Sequence, residues 1–192
     1  MRTEVETFID PQLGKRNRLT TLFRPILAVP AIFLVSLISP SHEGAGVLPI
    51  LIAIVIVIFG IYPIWMIAFT HGILEFATKT NSYLFLLTDA YPNFIVDLKV
   101  RVVLPDIAEG KNINRWLPLV KWILALPHYL IIVLAATGVY AVVLFNWITI
   151  LITGNYSGSG QKFIVGYISY INRVAGYAFA MVTDSYPRII TR

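Results

Sequence analysis

Two acids in this sequence recur in one setting. The stretch "LLTDAYPNF" (Leu86 to Phe94) returns as "MVTDSYPRI" (Met181 to Ile189), so Asp89, Tyr91 and Pro92 correspond to Asp184, Tyr186 and Pro187, 95 residues on. Paired carboxylates are the natural place to look for general acid–base chemistry, where one group gives a proton and another takes it. Neither acid has a histidine nearby in its segment. As turn formers they make immediate sense. Aspartate can accept a backbone N–H two residues on, proline fixes φ and stops a helix, and tyrosine suits a membrane headgroup belt. The turn role is the one expected.

The remaining reactive side chains do not converge. His42, His71 and His128 are dispersed and lack the i, i+4 spacing of a helical metal site. With no cysteine, thiolate ligands, thiol nucleophiles and disulfides are excluded. "GNYSGSGQK" lacks the Gly-Lys-Ser/Thr ending that contacts phosphate and magnesium, and no G-x-S-x-G turn presents a serine. No catalytic residue, cofactor or metal ligand is therefore assigned. His128 follows Pro127 inside an apolar run, where the matching earlier position is Ala31. An ionisable residue there is a functional hypothesis by default; a neutral histidine bonded to a neighbouring helix is the expectation.

The elements that must hold these residues are strongly apolar. Of 192 residues 57% are hydrophobic and only 13% charged, and the mean hydropathy is +0.76. A soluble domain carries about a quarter charged residues, and disordered chains are richer still in charge. The net charge of +5 comes from basic residues that flank apolar runs, which points to anionic lipid headgroups and away from nucleic acid.

A helix crosses the ~30 Å hydrocarbon core with about 20 apolar residues. Four runs fit or nearly fit: 22–39, 47–69, 117–136 and 138–153. The expected architecture is an all-α integral membrane protein with four transmembrane helices in two hairpins. The hairpin loops, Pro40 to Gly46 and Thr137–Gly138, hold no Lys or Arg, whereas the 15 basic residues lie in the N-terminal, middle and C-terminal segments or at the matching helix ends. By the positive-inside rule both termini are expected in the cytoplasm. Segments 73–87 and 161–183 read as interfacial amphipathic helices, the second with Lys162 and Arg173 at headgroup level. Spanning would place Arg173 near the bilayer centre, at a cost of about 2.5–3.5 kcal/mol. Arg24 and Lys121 are expected as basic anchors at the cytoplasmic helix ends, a position compatible with binding lipid phosphates. Pro30 and Pro127 each remove a helix hydrogen bond and should kink the chain.

The repetition extends past the turns. "RPILAVP" (Arg24 to Pro30) matches "KWILALP" (Lys121 to Pro127), and Asn17–Arg18 matches Asn114–Arg115, both 97 residues on; Trp65 and Gly72 match Trp147 and Gly154 at an offset of 82. Alternation from Phe94 to Val103 predicts a strand, with "RTEVETFIDP" as its weaker partner in a small cytoplasmic sheet. Residues 1–93 and 94–192 are then two parallel units about a pseudo-twofold axis along the membrane normal. With its tandem R/K-x5-P, Trp-to-Gly and TD-x-YP motifs, the chain resembles a family of small bacterial membrane proteins known only as a domain of unknown function. That resemblance implies a bacterial inner-membrane location and supplies no activity.

The expected function is a non-enzymatic one: an accessory subunit or lipid-organising scaffold, homo-oligomeric or joined to other membrane subunits, with anionic lipids as partners. The alternative is a small carrier or lipid-handling protein with a groove on the twofold axis beside Pro30, Pro127 and His128.

Overall fold

The computed structural model describes residues 3–38, 47–95, 99–106 and 113–189. Its elements, in chain order, are β1 (Glu6–Ile9), α1 (Arg18–Leu27), α2 (Val29–Ile38), α3 (Val47–Phe59), α4 (Ile64–Leu84), β2 (Val100–Val103), α5 (Pro118–Leu124), α6 (Leu126–Thr153) and α7 (Gly158–Ala178).

The expected four spans are corrected to one helix of spanning length among the described residues. That helix is α6, with 28 residues and a mean hydropathy of 2.2 over its most apolar window. Runs 117–136 and 138–153 do not form a hairpin, because Thr137 and Gly138 lie inside α6. A glycine in a helix interior costs only about 1 kcal/mol, too little to break a helix of this length, and α7 passes close by: a Cβ on Gly138 would stand at ordinary contact distance, 3.5 Å, from the Phe163 ring. Run 22–39 is the bent pair α1 and α2, which meet at 41° and would count as a span only if taken together. Run 47–69 breaks at Gly60, whose φ of +68° suits glycine, and at Pro63, which precedes α4. What remains apolar in α3 is Leu48–Phe59, too short to cross. The loop Pro40 to Gly46, with His42, lies outside the described residues.

Helices breaking ahead of proline is a local effect that the sequence does encode. Ala28 separates α1 from α2 and Ala125 separates α5 from α6, in each case two residues before Pro30 or Pro127. Proline at the second position of a new helix forfeits no bond, since that N–H would be an orphan anyway.

The interfacial segments are also corrected. Segment 73–87 belongs to α4, which begins at Ile64, and 161–183 to α7; both are core helices. Ile164, Ile168, Val174, Ala175, Tyr177 and Ala178 of α7 are buried, as are Ile73, Leu74, Phe76 and Ala77 of α4. A polar link joins them: the Asn172 amide donates to Thr7 Oγ1 at 2.9 Å and to Thr78 Oγ1 at 2.8 Å. Such buried networks require every member to be paired. An amphipathic stripe at helical period has the same spacing whether protein or lipid covers it, which is why α7 read as interfacial.

The expected two-stranded sheet forms. β1 and β2 are antiparallel, with Glu6 opposite Val103 and Ile9 opposite Val100. Val100 and Val102 point inward while Arg101 faces out over the Phe8 ring. Of the predicted strand's earlier part, Val96, Asp97 and Leu98 lie outside the described residues, and Phe94 instead stacks on Phe76 with centroids 4.2 Å apart. The sheet closes over α7 at Gly176, where an added Cβ would collide with Val5 Cγ2. Gly176→Ala should therefore destabilise the fold by about 1–3 kcal/mol. A V5A/G176A double variant should recover most of that in thermal melts, whereas a melting point unchanged by G176A alone would show that this contact is slack.

Candidate functional site

The bases and acids singled out in the sequence meet each other. Arg24 lies towards the C-terminal end of α1 and projects inward, 2% exposed, to the turn after α4. Its Nη1 donates to the Tyr83 and Thr88 carbonyls at 2.9 and 2.8 Å, and Nη2 pairs with Asp89 Oδ1. The guanidinium lies over the Tyr83 ring, 4.5 Å from its centroid, a geometry in which cation–π attraction adds to the pair. Asp89 Oδ2 accepts from the Asn17 backbone N–H at 2.9 Å and from Gln12 Nε2 at 3.2 Å, and Gln12 Oε1 receives the Asp89 N–H at 2.8 Å.

Lys121 makes the corresponding arrangement in the second stretch. Its ammonium, fully buried, donates to the Thr183 carbonyl at 2.6 Å and pairs with Asp184 Oδ1 at 2.7 Å. Asp184 Oδ2 accepts from the Asn114 N–H at 2.5 Å, and Lys121 Nζ lies 5.4 Å from the Tyr177 ring centroid. Burial draws the Lys121 ammonium below the usual lysine range, and its bond to Asp184 opposes that shift.

The chain reaches each acid through a strained step. Leu86 and Met181 have φ of +66° and +55°, and they are the non-glycine residues with positive φ among the described ones. Such a backbone persists only where its surroundings hold it; here the arginine and lysine bonds to the carbonyls that follow supply the hold. Tyr91 and Tyr186 finish the turns edge-on to Tyr83 and Tyr177, with centroids 5.5 and 5.7 Å apart.

Two sequence expectations change here. Arg24 and Lys121 are not displayed to headgroups as anchors, because each places its charge against an aspartate of its own chain. Nor do the aspartates bond two residues on. Thr88 and Thr183 do that, their Oγ1 atoms accepting from the Ala90 and Ser185 N–H groups at 3.1 and 3.0 Å. The threonine of each motif forms the turn, which frees the aspartate for the distant base.

The other assigned residues do not join these clusters. Lys162 is exposed on the second turn of α7, and Arg173, half-buried near the Tyr170 ring, leaves Nε and Nη2 unpaired among the described residues. Pro30 and Pro127 are exposed. His128 Nδ1 stands 2.5 Å from the Tyr170 hydroxyl on α7, and its Nε2 has no partner among the described residues. His71 Nε2 meets the Val102 carbonyl at 2.6 Å. No group of three or more metal-ligating side chains occurs among the described residues.

Several contributors carried no assigned role in the sequence. Arg18 Nη2 donates to the Ile152 carbonyl at 2.9 Å, and Arg115 to the Val57 and Ile58 carbonyls. These arginines cap the C-termini of α6 and α3, where free carbonyls and the helix dipole favour a cation. Arg16 is buried, donates to the Leu87 carbonyl at 2.8 Å and lies over the Tyr156 ring. Burial pulls the Arg16 guanidinium below its ordinary value, with Asp89 acting upward and Arg24 downward. The signal was present: bases and acids recurring at nearly one offset are partners as readily as they are parallel sites.

Two apolar grooves open beside the clusters. One, of about 510 Å³, lies between Arg24 and Pro25, the turn Leu84 to Leu86, and Tyr140, Leu144 and Trp147 of α6. The other, of about 620 Å³, is walled by α3, by Pro118 and Trp122, and by Phe179 and Met181. Neither is lined by Pro30, Pro127 or His128.

Residues 116–190 match the family described as a domain of unknown function (DUF4389). The match takes in α5, α6, α7 and the Asp184 turn. No curated protein and no solved structure matches the chain.

Proposed function

We propose that this chain is a non-enzymatic integral membrane protein of the bacterial inner membrane, embedded through α6 and serving as a lipid-organising scaffold or accessory subunit. One observation carries the reading: only 11% of the residues in the most apolar window of α6 are buried. Leu130, Val133, Leu134, Tyr140, Leu144, Phe145 and Ile152 stand 60–70% exposed along its length. The core helix of a soluble protein would be covered, whereas an uncovered apolar face of this size marks contact with lipid or another protein. At 1.5 Å per residue α6 is roughly 42 Å long, enough for the hydrocarbon core.

The polar segments support an orientation. Arg188 Nε lies 3.3 Å from Glu4 Oε1, Thr183 bonds to the Thr3 carbonyl, and β2 pairs with β1. These contacts support a reading in which β1, β2 and the Asp184 turn lie on one side, cytoplasmic by the positive-inside rule. A non-catalytic role is favoured because the recurring acids and bases are engaged with each other. The matching motifs suggest two related units that share one ancestral plan, with the α6 region rebuilt in the second. The two grooves favour lipid handling as the second reading.

Membranes washed with alkaline carbonate should retain the protein, and a photo-crosslinker at Leu134 should yield lipid adducts or adducts with a membrane subunit. Release into the wash with no adduct would overturn the proposal.

A further inference from the structure

The two outer edges of the sheet are treated differently. The Asp10 N–H donates to the Lys99 carbonyl at 2.7 Å, and the register sets Thr7 opposite Val102 and Ile9 opposite Val100. Ladder bonds of an antiparallel pair fall on alternate residues. Thr7, Ile9, Val100 and Val102 therefore turn their backbone groups away from the partner strand. On β2 the Val102 carbonyl is taken by His71 Nε2 of α4 at 2.6 Å. On β1 the backbone groups of Thr7 and Ile9 have no partner among the described residues. The α7 residue in the place of His71 is Val165, 94 residues on, as Val102 is 95 residues on from Thr7. A valine side chain has no N–H to give.

A groove of about 860 Å³ runs beside this edge, between Thr7, Ile9 and Pro11 and the N-terminal half of α7. Gln161, Lys162 and Gly166 lie on its helix side. A Cβ added to Gly166 would meet nothing within 4 Å, so the groove is open there. An unpaired strand edge is a template for another extended backbone, and peptides are recognised by adding to such edges.

Charge decides which backbone fits. Glu6, Phe8 and Asp10 alternate with Thr7 and Ile9, and they share the outer face of the sheet with Arg101. A second copy that joined its Thr7 to Ile9 here would set Glu6 opposite Asp10 twice, and like charges so placed are destabilising. β2 shows what suits this face, since it sets Lys99 opposite Asp10 and Arg101 over the Phe8 ring. We propose that the open edge of β1 docks an extended peptide segment of another protein, one with Lys or Arg at alternate positions. The segment adds as a third strand, exchanging backbone bonds with Thr7 and Ile9. Its bases lie over Asp10 and the exposed Phe8 ring, where cation–π attraction adds to the charge pairing. Its intervening residues turn towards Lys162 and are uncharged. The edge lies outside α6, so this docking is independent of what covers that helix.

The test is fluorescence polarisation of a labelled, end-capped peptide, Thr-Lys-Thr-Arg-Thr-Lys-Thr, with the full chain in neutral detergent. The protein's net charge of +5 works against unspecific capture of such a peptide. The basic peptide should bind at least about tenfold more tightly than its counterpart with glutamate at each base, the scale of a few cross-strand charge pairs. N-methylation of the two middle threonines, whose N–H groups face β1, should abolish binding, whereas N-methylation of the lysines should not. Gly166→Leu projects into the open groove and favours the helix, so it should melt no lower than wild type and lose the peptide. Equal affinity for the basic and acidic peptides overturns the proposal, as does binding that survives threonine methylation or G166L. A protein dimer that the peptide disperses would assign the edge to a second copy, and it overturns the proposal too.

Discussion

Replacing Asp89 with alanine should destabilise the protein by about 3–5 kcal/mol, the usual penalty for stranding one partner of a buried ion pair. At 2% exposure Arg24 has no water to replace the lost carboxylate. Its bonds to the Tyr83 and Thr88 carbonyls remain, which places the expected loss near the lower end of that range. Removing both charges in Arg24→Met/Asp89→Leu should be markedly milder than D89A, because no uncompensated charge is then buried. Denaturant titration in detergent micelles measures both. A D89A penalty below about 0.5 kcal/mol, the level of an ordinary surface substitution, would show that the pair is ornamental.

Asp184→Ala should behave differently because its partner is a lysine. Burial already draws the Lys121 proton affinity down, and without Asp184 the ammonium can deprotonate in place. The unfolded chain then binds a proton that the folded chain lacks, so stability rises with pH across the region below the free lysine value. The D184A deficit should shrink as pH increases, and the D89A deficit should not. Parallel pH profiles for the two variants would contradict the arrangement of charges described for them.

Leu134→Arg on α6 has an expected effect that depends entirely on what covers the helix. Leu134 is 65% exposed, so in water the change should lie within about 0.5 kcal/mol of neutral. In a bilayer a central arginine costs about 2.5–3.5 kcal/mol. The proposed embedding therefore predicts a sharp fall in membrane-integrated protein, read as loss from the carbonate-washed pellet. Arg at the opposite, packed face would damage either kind of protein and separates nothing. Unchanged yield and partitioning of L134R would count directly against α6 as a lipid-facing helix.

Much of the local order was legible in the residues. The helix breaks before Pro30 and Pro127, the last four residues of the strand expected over Phe94 to Val103, and the turns at Asp89 and Asp184 stand where the pattern puts them. Each depends on neighbours a few positions away, so a linear reading reaches it. The charge asymmetry was equally legible, since it is a count over segments.

Thr137–Gly138 reads as a loop because it lies between two apolar runs, but neither residue costs a helix much, and both lie inside α6. For α7 the sequence determined an amphipathic helix, and only β1, α4 and α6 closing around it decided that protein covers its apolar stripe. Arg24 and Lys121 were visible as recurring bases, Asp89 and Asp184 as recurring acids. That they are each other's partners was decided by the fold, because a charge removed from water takes whichever opposite charge the packing brings within reach.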